Sequence, residues 1–171
     1  MYKDKTFESQ KFKSIDFTSQ DLSNSKFISC VFENCNLSLI KLDNTRLQQT
    51  RFIGCKILGA DFSKSNQLIL SLDFQECSIN NCIFSQMTLK NTSFKDSQII
   101  DCDFIDINLS GSNFENTDLK GTRFENANLG YSSFLNARNY EIDFNKNNIK
   151  KAKFSFPEAL SLLNSLDIEI N

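Results

Sequence analysis

The chain has 171 residues, 40% hydrophobic and 23% charged, with a formal net charge of −2, which suits one domain with enough apolar mass for a continuous core. It holds 0 His, 5 Gly and 1 Pro, which excludes Ser-His-Asp and Cys-His catalysis and histidine-ligated metals and leaves no glycine-rich phosphate cradle. No catalytic residue, metal or cofactor is therefore expected, and 17 Phe against 3 Tyr and 0 Trp call for a geometric slot that asks for Phe.

The opening Met1-Tyr2-Lys3-Asp4-Lys5 leads into no apolar stretch, and no apolar run approaches the ~20 residues needed to span a bilayer. The expectation is a cytoplasmic protein with no membrane partner. In that compartment the six cysteines should stay reduced.

From Phe7 onward an apolar residue recurs every five positions: Phe7, Phe12, Phe17, Leu22, Phe27, Phe32, Leu37, Leu42, Leu47, Phe52, Ile57 and Phe62. After a break the series runs Phe74, Ile79, Phe84, Leu89, Phe94 and so on to Phe134, then resumes at Phe144, Ile149 and Phe154. A period of five winds around a helix and alternates faces on a strand, so the chain must turn in space once per repeat. In the second series Phe recurs every ten residues, with Ile or Leu between. A four-sided coil of 20 residues satisfies this, with Phe on two opposite walls stacked coil upon coil. At the ~4.8 Å strand spacing, about seven and a half coils make a rod roughly 35 Å long.

Two places before each centre the residues are small: Ser25, Cys30, Cys35, Thr45, Thr50, Cys55, Ala60 and onward to Ala152. All six cysteines, including Cys77, Cys82 and Cys102, fall in this slot and read as buried small hydrophobes. Two irregularities interrupt the grid. The step from Phe62 to Phe74 is two residues longer than two repeats and contains Leu68-Ile69-Leu70, which predicts a bulge. Asn139 takes a centre position, which predicts a locally opened wall.

The predicted division is a coil region over 1–154 and a terminal segment over 155–171. Ser155-Phe156-Pro157-Glu158 has capping-box spacing, and Phe156, Ala159, Leu160, Leu163 and Leu166 follow at helical spacing. An α-helix of about ten residues and a short tail with Ile168 and Ile170 should cover the open end of the stack. Leu162 and Ile170, left on another face, suggest a dimer contact.

The stretches Gly59-Ala60-Asp61-Phe62-Ser63, Thr117-Asp118-Leu119-Lys120-Gly121 and Ala127-Asn128-Leu129 resemble the A(D/N)LXX unit of pentapeptide-repeat proteins. The resemblance implies an all-β fold, a right-handed quadrilateral β-helix. Ala159-Leu160-Ser161-Leu162-Leu163 with Leu166, Ile168 and Ile170, and the run from Gly59 to Asn66, are similar to the quinolone-resistance members. That likeness implies a homodimer through the C-terminal helix and a DNA-mimicking rod that binds DNA gyrase or topoisomerase IV, modulating quinolone sensitivity without binding nucleic acid itself.

Between Asp96 and Asp118 the sequence carries six acids, Asp96, Asp101, Asp103, Asp106, Glu115 and Asp118, and no Lys or Arg. This acidic belt is the candidate phosphate surrogate. Counting coils back through the break places Lys26, Arg46, Lys90, Lys150 and Lys151 on one wall with Glu8 as its only acid, a basic stripe facing away from a DNA-binding groove. The alternatives to a topoisomerase ligand are an immunity protein against a gyrase-targeting toxin and a rigid scaffold for another partner.

Overall fold

The computed structural model describes residues 2–166 and 168. Each five-residue unit forms one wall and one corner. The central residue lies in extended backbone with its side chain inward. Two places on, the backbone turns left-handed, with φ of 51° at Ser9, 53° at Ser14, 58° at Ser19 and 59° at Asn24. Such corners cost about 1–2 kcal/mol for most L-residues, and least for Gly, Asn and Asp, which is why Asn34, Asn44, Asn81, Asp96, Asp101 and Asn116 recur there. At the Gly121 corner a Cβ would meet Asp101 Oδ1 of the preceding coil at 2.1 Å, so a larger residue there requires the Asp101 side chain to turn.

Four units close one coil of the right-handed β-solenoid, which makes about seven turns. The first wall pairs Phe7, Phe27 and Leu47 in parallel register; the second pairs Phe12, Phe32, Phe52 and Phe74. The third stacks Ile57, Ile79 and Ile99, and the fourth pairs Phe104 with Phe124. The expected opposite Phe walls are present. On the second wall successive rings lie 4.8–5.2 Å apart from Phe52 to Phe154. The fourth-wall rings from Phe62 to Phe124 are spaced 4.7–5.3 Å. Across the axis the two stacks meet edge-on, as at Phe84–Phe94, 6.0 Å and 89°, the arrangement ring quadrupoles favour.

The small slot has a second requirement beyond size. Thr45 Oγ1 donates to Leu22 O at 2.8 Å, Thr117 Oγ1 to Phe94 O at 2.8 Å and Ser132 Oγ to Leu109 O at 2.8 Å. The thiols of Cys30, Cys35 and Cys55 reach Phe7, Phe12 and Phe32 carbonyls at 3.3–3.4 Å. A short donor here partners the carbonyl of a central residue one coil earlier. All six cysteines are free and buried, and burial pushes the Cys30 and Cys35 thiols up.

The break adds two residues and no wall, since Phe52 pairs directly with Phe74. The expected bulge is there: Leu68 is 88% and Ile69 47% exposed, while Leu70 packs on the core. Near the other end two expectations are corrected. Asn139 does not open the wall. A buried amide there would lack partners, and the chain instead slips by one residue so that Tyr140 enters the core between Phe134 and Phe154. Asn139 turns outward at φ 59° and donates to Asp118 Oδ1 at 2.8 Å. Ile142 then takes the centre expected of Phe144, which is only half-buried. Burial, with the charge of Glu158, pushes the Tyr140 phenol up to about 12.

The terminal helix is 3₁₀ over Glu158–Leu166 rather than α, closed by contacts such as Leu160 N–H to Pro157 O at 3.0 Å. Ser155 and Glu158 form no capping box. Ser155 Oγ accepts from Asn136 N–H at 2.6 Å and Glu158 Oε1 from Asn139 N–H at 2.5 Å. In earlier coils the equivalent donors meet backbone carbonyls 19 residues on, as Asn116 meets Leu135. Two side chains thus replace the carbonyls of the coil that does not follow.

Replacing Phe104 with Ala should cost ~3–5 kcal/mol, because a ring stacked on both sides leaves a cavity that rigid coils cannot close. Phe144→Ala should cost at least ~2 kcal/mol less, since that ring lies outside the stack. Urea unfolding of both variants, followed by far-ultraviolet circular dichroism, checks the pair.

Candidate partner-binding surface

Coil closure makes residues about 20 apart in sequence neighbours in space, and the surface is organised as columns. Along one corner Asn24 Nδ2 donates to Asp4 Oδ1 at 3.0 Å, Asn44 to Asn24 at 3.1 Å and Asn66 to Asn44 at 2.9 Å. Just before many centres an Asx side chain accepts from the N–H two residues on, as Asp21 does from Ser23 at 2.9 Å and Asn128 from Gly130 at 3.1 Å. Such Asx-turns explain why so many outward slots hold Asn or Asp before any functional demand.

Sorted by wall, the charges separate. The second and third walls carry both signs, with Glu33 held below the usual carboxylate range by Lys11 and Lys13. The first wall carries Lys26, Arg46, Lys90, Lys150 and Lys151, and among the described residues none of them is in an ion pair. The fourth wall carries Asp21, Asp43, Asp61, Asp103, Glu125, Glu141 and Asp143, with Asp106 at its edge, against Lys3, Lys41, Lys64 and Arg123. The first and fourth walls share a corner; the wall opposite the first is the third. The basic stripe therefore adjoins the most acidic wall rather than lying on its far side.

The six belt acids do not form one patch. Asp103 and Asp106 lie on the fourth wall and its edge, and Asp101 on the corner leading into it. Asp96 and Glu115 belong to the second wall and Asp118 to the third, so the belt winds around the rod. Its lack of basic residues in sequence does not hold in space. Arg123 Nε contacts Asp103 Oδ1 at 2.7 Å, Arg138 contacts Asp118 at 3.1 Å and Lys95 lies 4.0 Å from Glu115. Asp96 and Asp106 instead accept from Asn116 and Asn126 at 2.7 and 3.1 Å. Glu125, Glu141 and Asp143 were outside the belt because the outward acids of one wall are scattered along the sequence, and only the coil count gathers them.

At the C-terminal end Leu162 packs on the core and Leu163 is half-buried. Phe156 is 80% exposed, and Leu160, Leu166 and Ile168 are exposed too. The faces are thus exchanged relative to the helical-wheel reading, in which Leu162 was the residue left over. A 3₁₀ turn of three residues rotates the pattern. Ile170 lies outside the described residues.

Residues 5–81 and 77–154 each match the family model of a pentapeptide repeat region. The chain belongs to the pentapeptide-repeat family. Its fold is similar to that of QnrB1, described as a plasmid-mediated fluoroquinolone resistance protein. A trypsin-treated form of QnrB1 aligns at TM-score 0.71 and 20% identity, covering 99% of this chain and 92% of that one. Full-length QnrB1 aligns at TM-score 0.63 and 18% identity, covering 98% and 92%. No curated protein sequence matches. At this identity the likeness to QnrB1 is one of fold, a Qnr-like pentapeptide-repeat solenoid. Among the described residues no helix is long and apolar enough to cross a membrane, and no group of His, Cys, Asp and Glu could hold a metal ion.

The Asx-turns of this family member carry a pH signature. Hydrogen bonds from Ser23, with Lys3 adding to them, lower the Asp21 carboxyl to about 2. A carboxylate with a depressed folded value stabilises the fold above its ordinary pKa of ~3.9 and loses that contribution as pH falls through the folded value. The thermal midpoint should therefore hold from neutrality to about pH 5 and fall between about pH 4 and 2. Asp21→Asn should shrink that fall, as measured by calorimetry across pH.

Proposed function

We propose that this pentapeptide-repeat protein is a non-enzymatic DNA mimic that binds a type II topoisomerase, gyrase or topoisomerase IV, and modulates quinolone sensitivity in the cytoplasm. The observation that carries the reading is the fourth wall, a straight face along which acids outnumber cations. A rod with regularly spaced carboxylates offers a protein built to hold duplex DNA the charge pattern of a phosphate backbone. The fold shared with QnrB1, described as a fluoroquinolone resistance protein, supports the link to quinolone sensitivity. In this reading the Asp101, Asp103 and Asp106 side of the belt makes the contact, while Asp96, Glu115 and Asp118 lie on walls turned away from it.

Charge reversal at Asp101, Asp103 and Asp106 should weaken gyrase binding and inhibition of supercoiling by ~10-fold or more, and binding should fall with added salt. The matching control is Asp16→Lys on the third wall, which should leave both unchanged. Equal losses at both places, or no binding to gyrase or topoisomerase IV at low salt, would refute the mimicry reading.

We infer also that Phe156, Leu160, Leu166 and Ile168 form the contact of a homodimer, because an apolar cluster at the rod end is otherwise left in water. Phe156→Asp with Leu160→Asp should give a monomer in sedimentation velocity while the circular dichroism spectrum is retained. An unchanged oligomeric state would remove this contact.

A further inference from the structure

We propose that the basic first wall docks sideways on the acidic fourth wall of a second copy of this chain, an association separate from the end-to-end dimer and independent of the topoisomerase reading. Three observations lead there. The first-wall cations have no ion-pair partner within the chain among the described residues, although the other three walls pair charges, the fourth at Asp21, Asp61 and Asp103 with acids left in excess. The bulge lifts Leu68, 88% exposed, and Ile69 out of this same wall, with Lys26, Arg46 and Leu68 lining one shallow groove. The fourth wall presents the complement: Ile83 is 39% exposed and sits in one column between Asp61 and Asp103.

Leu68 and Ile83 belong to the same coil, near the middle of the rod, and this fixes how the walls meet. Antiparallel docking with Leu68 seated beside Ile83 brings Arg46, one coil before Leu68, opposite Asp103 and Asp106, one coil after Ile83. The same alignment sets Lys90 opposite Asp61 and brings Lys26 to the coil of Arg123 and Glu125, where Arg123 is turned to Asp103 and Glu125 is left to meet it. An apolar contact flanked on both sides by opposite charges gives register as well as attraction. The contact is heterologous, since each copy keeps a free first or fourth wall, so association continues beyond a pair as protein concentration rises. It also covers the acidic wall, so self-association and any partner that uses that wall exclude one another.

The test is sedimentation velocity on the intact chain over a range of protein concentrations, in low and in high salt. Low salt should give species larger than the end-to-end dimer, and high salt should dissolve them. Lys26→Glu with Arg46→Glu makes the first wall acidic over the two coils before Leu68, and Asp103→Lys with Glu125→Lys makes the fourth wall basic over the two coils after Ile83. Each alone should associate ~10-fold more weakly than the parent, and an equimolar mixture should recover the larger species, because a basic wall again meets an acidic one. Circular dichroism of each variant establishes that the solenoid is intact, and Leu68→Ser, which changes no charge, should weaken the parent's association. Larger species that persist in high salt, variants that associate as the parent does, or a mixture that recovers nothing would each overturn the proposal.

Discussion

Every coil of this rod must return to lie on the one before it, so each side chain has as its nearest neighbour the residue about 20 places away on either side. That constraint selects residues that tolerate their own kind. Phe stacks on Phe at about 5 Å because flat rings can repeat along an axis at the strand spacing. Asn stacks on Asn because an amide carries a donor on one side and an acceptor on the other, so a column of them satisfies itself. A carboxylate cannot do this. Within a column acids therefore alternate with partners, Asp103 with Arg123, Asp118 with Arg138, Asp96 with Asn116.

The same constraint governs the small slot. A central residue's N–H and its neighbours' backbone groups are consumed by the parallel ladders and the corner turns, while its carbonyl retains a free lone pair aimed along the axis. A hydroxyl or thiol one coil later fills that position, and Ala at position 60 or 127 fills the space without the bond. Cysteine belongs here as a small side chain with a weak donor, which accounts for all six cysteines without invoking ligation or redox chemistry.

The period of five was enough to read four walls, the opposite Phe stacks, the buried cysteines and the bulge before Phe74, because each depends only on which residues point inward. What the spacing concealed were choices between competing satisfactions of the backbone. Asn139 and Tyr140 are adjacent, and a grid cannot say that the chain will slip by one residue to exchange an unpartnered amide for an aromatic ring. Ser155 and Glu158 have the spacing of a helix cap, yet the last coil leaves two N–H groups open, and those donors claim both side chains. The acidic belt had a different flaw. It was gathered along the sequence, where Asp96 and Asp118 are close, whereas charge on a solenoid accumulates by column, so Glu125, Glu141 and Asp143 join Asp103 and Asp118 does not.

A net charge of −2 conceals a strong division between two adjoining walls. Stability does not explain it. Exposed charges on the two walls are separated by the width of a corner or more, and water and salt reduce such attractions to a few tenths of a kcal/mol. Nor do the corners or the Phe stacks dictate it, because the outward slots of the second and third walls meet the same backbone demands with mixed charges. The core is fixed by inward positions, and the outward Asx-turns accept Asn as readily as Asp, so the sign of a column can change with little effect on the fold. Segregated columns on such a scaffold therefore reflect the choice of outward residues rather than the demands of the core, and the corner shared by the first and fourth walls is where the surface changes sign.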